Sequence, residues 1–239
     1  MKLEKVTPLD NAPSRRRYDD ACAATHAMDI VGERWALPVM RELMLGPRRF
    51  GELKSSLRGI SANVLTQRLV GLEAAGVVRR TKLPPPASVQ VYELTPWGYE
   101  AGPIFQAMGR WGVRSPAHDP SRPFTPVSLM LAFRTMANPE RAAGLDGRIG
   151  FRIGEDRFCL RIIEGRLEPA RGEGGKPDLV FTGSTAAIGA AAFAGVPLES
   201  LEADGQLGIE GSRVLAQRFL NLFPLPPKVE APATVSLRA

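Results

Sequence analysis

The segment that ends before Gly76 constrains the fold most, because its apolar residues follow a single helical stripe. Leu65, Leu69 and Leu72 recur at helical spacing and predict one buried face. Ser61 precedes the stripe as a helix N-cap, and Gly76 follows it as a helix stop. The sequence therefore predicts a helix here whose apolar side packs into a hydrophobic core.

The elements around this helix follow the order of a winged helix-turn-helix domain. Three shorter helices are predicted before it, a β-hairpin after it, and a further helix that begins at Thr95–Pro96. The expected bounds are 20–31, 35–45 and 50–57 for the three helices, 77–81 and 89–94 for the strands, and 95 to about 111 for the last helix.

The outward face of the helix from Ser61 carries groups that can bond to DNA bases. Asn63, Thr66, Gln67 and Val70 point away from the leucine stripe. Asn and Gln can bond bidentately to adenine edges, and Thr can bond to bases or phosphates. An ordinary amphipathic surface helix has the same pattern, so this helix alone leaves DNA binding open.

The charge distribution favours a polyanionic partner for the first half of the chain. Residues 1–115 hold 17 Lys and Arg against 11 Asp and Glu, whereas residues 116–239 hold 14 of each. Within 41–82 there are 9 basic and 3 acidic residues. Neutralising phosphates releases counterions, which suits this excess. A merely solvated charged surface is the alternative.

Basic and polar side chains flank the predicted helix and the hairpin, where they would meet both strands of a duplex. Pro84, Pro85 and Pro86 stiffen the hairpin tip. The candidate DNA contacts are Arg48, Arg49, Lys54, Ser61, Asn63, Thr66, Gln67, Arg68, Arg79, Arg80 and Lys82.

A proline-rich linker separates this half from a second domain with a different pattern. Residues 115–123 contain three prolines. A helix from Thr125–Pro126, alternating strand segments, an Ala-rich helix after Ser184 and a final helix after Ser212 predict an α+β domain with an antiparallel sheet. The predicted division is a disordered basic leader (1–20), a DNA-binding domain (21–114), the linker (115–123), a ligand-binding domain (124–226) and a tail (227–239).

The first domain resembles the HxlR-type winged-helix regulators, a branch of the MarR-like group. The resemblance is carried by VGERWALPVMRELMLGPRRFGELKSSLRGISANVLTQRLVGLEAAGVVRR followed by PPPASVQVYELTPWGYE. It implies a homodimer on a palindromic operator in double-stranded DNA, with the first and last helices of the domain forming the dimer interface. DNA contacts are implied on the helix from Ser61 and on the hairpin, which is the wing.

The second domain is similar to sterol-carrier-protein-like domains. The similarity is carried by GRIGFRIGEDRFCLRIIEGRLEPARGEGGKPDLVFTGS and DGQLGIEGS. It implies a hydrophobic pocket between a sheet and helices, and an apolar small-molecule effector as ligand. The small residues from Ala186 to Ala194 would either leave space or pack tightly against the sheet. No ligand-binding residue is identified by the sequence.

The two cysteines and two histidines predict neither a disulfide framework nor a metal site. Cys22 lies where a helix N-terminus can lower a thiol's pKa, so redox sensing is a hypothesis beside a buried or incidental cysteine. Cys159 is expected to be structural. No cofactor is expected, and an enzyme is the least favoured class because no base is placed near a nucleophile.

The expected location is the cytoplasm, because no apolar run is long enough for a membrane span and the N-terminus does not resemble a signal peptide. The favoured function is transcriptional regulation. The alternative is a lipid-binding or carrier protein whose winged helix mediates protein interaction, since a fold alone does not decide function.

Overall fold

The computed structural model describes residues 18–230. The predictions for the leader up to residue 17, including Arg15, Arg16 and Arg17, and for the tail from 231 therefore lie outside the described residues. Among residues 18–230, no helix combines the length and the apolar character that crossing a bilayer requires.

The four helices expected in the first half are confirmed with slightly shorter bounds. Ser61 caps the fourth through its Oγ, which accepts a hydrogen bond from the Val64 N–H at 3.2 Å. Leu65, Leu69 and Leu72 are buried beneath it. The helices are α1 (Ala23–Val31), α2 (Ala36–Leu43), α3 (Phe50–Ser56) and α4 (Ala62–Ala74).

The expected hairpin is also confirmed, but the helix after it is interrupted. The strands β1 (Val78–Lys82) and β2 (Gln90–Leu94) pair antiparallel. The single helix predicted from Thr95 to Trp111 is instead α5 (Pro96–Tyr99) and α6 (Gly102–Gly112). Pro103 has no N–H to continue the helix, whereas it is compatible with the first turn of a new one.

The second half is an α+β arrangement around one five-stranded sheet. Two short helices, Pro139–Ala142 and Leu198–Ala203, were not predicted because each has at most six residues and little periodicity. In chain order the elements are α7 (Pro126–Met136), α8 (Pro139–Ala142), β3 (Gly147–Ile153), β4 (Asp156–Ile163), β5 (Arg166–Arg171), β6 (Leu179–Gly183), α9 (Thr185–Phe193), α10 (Leu198–Ala203), β7 (Leu207–Gly211) and α11 (Arg213–Leu220).

The sheet is antiparallel except at one pair of strands. Its order is β5-β4-β3-β6-β7, and β6 runs parallel to β3. The other three pairs are antiparallel, as expected. One edge of β3 is paired with β4, so its other edge is free for β6. The chain leaving β5 crosses to that edge, and β6 pairs there parallel to β3.

Aromatic rings fill the space between the sheet and its helices. Phe133 of α7 is fully buried, and its ring centroid lies 4.9–5.7 Å from those of Phe151, Phe193, Phe219 and Phe223. Contacts of this kind are typical of a packed core. The sterol-carrier resemblance implied a pocket between the sheet and the helices; around Phe133 this space is filled by aromatic rings.

The two halves share a buried polar contact as well as apolar packing. Glu42 of α2 is fully buried, and its Oε1 accepts hydrogen bonds from Thr125 Oγ1 at 2.7 Å and from Arg41 Nη2 at 2.9 Å. The Nε of Arg110 donates to the Thr135 carbonyl at 3.1 Å. Buried apolar residues from both halves belong to one contiguous cluster. The linker therefore joins parts that are packed against each other.

Candidate nucleic-acid interface

The outward face of α4 is exposed and polar. Asn63, Thr66 and Gln67 are exposed, and Val70 beside them is 58% exposed. The Thr66 hydroxyl donates to the Ala62 carbonyl at 3.0 Å, so its oxygen still has capacity to accept a bond. The two amide side chains lie four residues apart, on the same side of the helix. This face can therefore present two hydrogen-bonding groups together to a flat, polar partner.

Ser61 has a structural function at the start of this face. Its Oγ accepts the Val64 N–H and thereby satisfies one of the free donors of the first helical turn. The residue is exposed. Ser61 therefore fixes where α4 begins, and any contact with a nucleic acid would be made in addition to this cap.

The wing carries exposed cations beside α4. The Arg79 Nε lies 2.8 Å from the Glu93 carboxylate, and the Arg80 Nε lies 3.7 Å from that of Glu73. Both guanidinium side chains are more than half exposed, and Lys82 is exposed too. Exposed ion pairs contribute about 0–1 kcal/mol. Phosphates can therefore compete with the carboxylates for these arginines.

Arg49 and Lys54 complete the accessible basic set next to α4. Arg49 is exposed at the start of α3, where its backbone N–H donates to Glu52 at 2.8 Å. Lys54 is half-buried on the same helix. Both side chains are thus available at the edge of the surface formed by α4 and the wing.

Two of the predicted contacts are placed differently. Arg48 is only 8% exposed, with its Nη2 3.2 Å from Ser56 Oγ and its Nε 3.3 Å from Glu52. The Arg68 side chain is 19% exposed and pairs with Glu33 at 3.1 Å. These partners hold α3 and α4 in the domain. The burial does not favour phosphate contacts, so neither arginine is among the contacts proposed below.

Cys22 is exposed at the N-terminal end of α1, which contradicts the buried alternative and leaves an incidental or a redox-sensing cysteine. The backbone N–H groups of Thr25 and then Ala24 stabilise the thiolate and lower the pKa of this thiol. Cys159 differs, because it is buried and its burial raises the pKa of the thiol. Only the first of the two therefore has the surroundings of a reactive cysteine.

The histidines are placed apart from each other and from other metal-binding groups. His26 lies on α1 beside Asp29, and the Nδ1 of His118 lies 3.3 Å from the Lys228 amine. Within residues 18–230, no three His, Cys, Asp or Glu side chains are grouped as metal ligands.

Comparison with known proteins matches the two halves to two different family models. Residues 30–119 match the model for the HxlR-like helix-turn-helix, and residues 129–224 match that for the SCP-2 sterol transfer family. The uncharacterized HTH-type transcriptional regulator sll1512 of Synechocystis sp. is 37% identical over 115 residues, which cover 46% of this chain and 85% of that relative. The chain belongs to the HxlR-like helix-turn-helix family.

Further relatives of this HxlR-like protein also match less than half of the chain's length. The uncharacterized HTH-type transcriptional regulator YvaP of Bacillus subtilis is 35% identical over 85 residues, or 36% of this chain and 79% of that one. The reduced form of the transcriptional regulator YodB from B. subtilis has 32% identity, covers 41% of this chain and 98% of its own, and gives a TM-score of 0.37. The score is too low for this overlap to bear on function.

The HxlR-like domain also exposes a set of large apolar side chains. None of the residues of α1 is buried, and Trp111 of α6 is 81% exposed. The spacing of Ile104, Met108 and Trp111 along α6 is helical, so the sequence already carried the signal for this face. The exposed apolar residues of α1, α5 and α6 are Met28, Trp97, Tyr99, Ile104, Met108 and Trp111.

Proposed function

We propose that this chain is a transcriptional regulator that binds a specific sequence in duplex DNA through α4 and the wing. The observation that carries the proposal is the pair of exposed amides, Asn63 and Gln67, on a helix whose other face is fixed by Leu65, Leu69 and Leu72. A rigid helix with such groups suits the major groove. Arg49, Lys54, Arg79, Arg80 and Lys82 would hold the sugar-phosphate backbone on either side.

The exposed apolar face of α1, α5 and α6 supports a homodimer. Met28, Ile104, Met108 and Trp111 are each about half exposed or more. Aromatic residues and Met are enriched in the cores of protein interfaces. A two-fold dimer presents two α4 helices to successive half-sites, so the operator is expected to be palindromic.

An apolar small molecule is the proposed effector of the C-terminal half. The match of residues 129–224 to the SCP-2 sterol transfer family supports this part of the proposal. The polar contact between Glu42 and Thr125 ties the two halves, so a ligand can act on DNA binding if it prefers one arrangement of them.

Selection of binding sites from a random pool of duplex DNA tests the DNA-binding proposal. We expect an enriched palindromic sequence, with an affinity that falls steeply as the salt concentration rises. Asn63→Ala and Gln67→Ala should each lose about 1–3 kcal/mol of binding to that sequence and relax the preference at one base pair. The matched control is Ser55→Ala, an exposed change on α3.

Two outcomes contradict this proposal. If no sequence is enriched, the chain does not discriminate operators, and a lipid-binding or carrier protein whose winged helix contacts another protein becomes the better description. If a sequence is enriched but neither amide substitution changes the preference, α4 is not the element that recognises the bases.

Regulation through Cys22 is a second proposal, favoured by the exposure of this thiol and by its lowered pKa. The thiolate is the nucleophile and persists to a lower pH than that of an ordinary cysteine. Mild oxidant should release DNA from the wild type and not from Cys22→Ser, with equal affinities in the reduced state. Release that persists in Cys22→Ser would contradict this proposal.

A further inference from the structure

A large cavity lies at the junction of the two halves, outside the aromatic core of the sheet. Its volume is about 920 Å³, within the range of about 300–1,000 Å³ that is common for small-molecule sites. Its walls come from α6, α7 and α9, and from residue 118 and residues 120–124 between α6 and α7. Neither family match by itself covers all of these walls, because the cavity exists only where the halves meet.

The small residues of α9 form one open wall of this cavity. Ala187, Ile188 and Ala191 are buried on the sheet side of the helix. On its other side Ala186, Gly189 and Ala190 line the cavity. A Cβ added at Gly189 would meet no atom within 4 Å. The rest of the lining includes large apolar side chains, namely Phe105, Val113, Leu131 and Met136.

Two of the lining arginines, Arg41 and Arg122, lie near the end of the cavity where α7 and α9 begin. Arg41 lines the cavity and donates a hydrogen bond to Glu42. Glu42 in turn accepts a hydrogen bond from Thr125, the N-cap of α7. The Thr185 hydroxyl of α9 donates to the Phe124 carbonyl at 3.1 Å, so both helices start at this end. Arg122 lies three residues before Thr125 in the chain and is 83% exposed in its side chain.

The cavity lining as a whole is cationic. Arg58 is its third arginine, and the described lining residues include no Asp or Glu. Arg41 forms an ion pair with Glu42 at 2.9 Å, and Arg122 forms one with Asp119 at 3.4 Å. Arg58 forms no ion pair with a described residue. An anionic group that enters here would therefore meet positive charge next to an apolar wall, with two helix N-termini adding to the potential.

We propose that this cavity binds an amphipathic carboxylate with one aliphatic chain. The carboxylate lies among Arg41, Arg58 and Arg122, and the chain extends along α7 and α9 toward Met136 and Phe193. This inference rests on the proposed function, because it gives the effector of the DNA-binding protein a site and a chemical class.

The position of Arg58 provides the route to DNA binding. Arg58 belongs to the turn between α3 and α4, three residues before the N-cap Ser61. A carboxylate bound to Arg58 and to the linker favours one placement of that turn. The DNA affinity changes only if the DNA-bound and free forms differ in that placement.

Calorimetric titration of the full-length protein with laurate, and with 1-dodecanol as the neutral molecule of equal chain length, tests the site. We expect laurate to bind at least tenfold more tightly than dodecanol. Gly189→Leu should fill the open wall and weaken laurate at least tenfold, while the control Gly189→Ala should stay within about twofold of the wild type. Arg122→Gln should weaken laurate severalfold and leave dodecanol unchanged.

The proposal is overturned if laurate does not bind, if dodecanol binds equally well, or if Gly189→Leu binds laurate as the wild type does. Should Gly189→Leu fail to fold by circular dichroism, Gly112→Leu provides the same readout, because its added Cβ also meets nothing within 4 Å. A lower dimer fraction in native mass spectrometry of Gly189→Leu, with unchanged laurate binding, would assign the cavity to a second copy of the chain and overturn the proposal.

DNA binding is measured separately on the duplex enriched from the random pool. Laurate should shift the midpoint of binding at least threefold for the wild type and not for Gly189→Leu; no shift overturns the regulatory route through Arg58. A protein that selects DNA but does not bind laurate overturns this site alone. A protein that binds laurate and selects no DNA overturns the proposed function while the cavity assignment stands.

Discussion

The helices α4 and α9 each bury one apolar face in a core, but their outward faces differ in chemistry. Each buries one face in the core of its own half: Leu65 and Leu69 in α4, Ile188 and Ala191 in α9. The outward face of α4 exposes amides and a hydroxyl. The outward face of α9 presents methyl groups and glycine to a cavity.

The difference shows two ways in which a helix face can serve binding. On α4 the side chains themselves supply the hydrogen bonds, so their identity indicates the class of partner. On α9 the small side chains supply only volume, and the chemistry comes from neighbours such as Arg41 and Phe105. A face of the second kind has a function only when the rest of the fold places those neighbours opposite it.

The largest expected effect tests whether the aromatic core beneath α7 and α9 is packed as tightly as described. Phe133→Ala removes the ring that contacts four other phenylalanines, and should lower the free energy of unfolding by about 3–5 kcal/mol. Urea denaturation measures it, with the exposed Val214→Ala as control. A loss below about 1 kcal/mol would mean that the aromatic core, like the outward side of α9, has free space.

The two sides of α4 can be compared through adjacent residues. Leu69 is 1% exposed and Val70 is 58% exposed. Leu69→Ala should cost about 2–5 kcal/mol of stability, and Val70→Ala no more than about 0.5 kcal/mol. Equal losses in urea denaturation would show that both sides of α4 are packed, in which case the helix could not enter a groove.

Much of α4 could be predicted because its determinants are local. The leucine spacing, the Ser61 cap and the Gly76 stop lie within one short segment, and each acts on residues three or four positions away. The interruption between α5 and α6 was also signalled locally, by Pro103. These features require no knowledge of the rest of the chain.

The placements that could not be predicted depend on partners distant in sequence or in the fold. Arg48 is basic and precedes a helix, which indicated an exposed cation, but the fold buries its side chain and pairs its backbone with that of Tyr92, 44 residues later in the chain. The cavity depends on the contact between Glu42 and Thr125, which are 83 residues apart. The parallel pairing of β6 with β3 likewise follows from the order of the whole sheet.

A smaller effect separates the amides of α4 from the cations of the wing. Arg79→Gln should weaken binding to every duplex about equally and reduce the slope of log affinity against log salt by about 0.9, the value for one lost phosphate contact. Fluorescence anisotropy at several salt concentrations measures both. If Arg79→Gln instead changes the preferred sequence, the wing contributes to base recognition and the contrast with α4 is weaker.

The smallest expected effect is a gain in stability on the open side of α9. Gly189→Ala replaces glycine within a helix, and the new Cβ meets nothing within 4 Å. The free energy of unfolding should rise by about 0.5–1 kcal/mol, because alanine loses less conformational entropy than glycine does in a helix.

Gly109→Ala on α6 is the matched control, since Gly109 lines the same cavity but its added Cβ would lie 3.2 Å from Thr135 Cγ2. We expect the control to gain less or to lose stability, because Thr135 is buried and must shift. A loss of stability in Gly189→Ala would mean that the outward face of α9 is packed like its inward face, and the difference between α9 and α4 would then be one of side-chain chemistry alone.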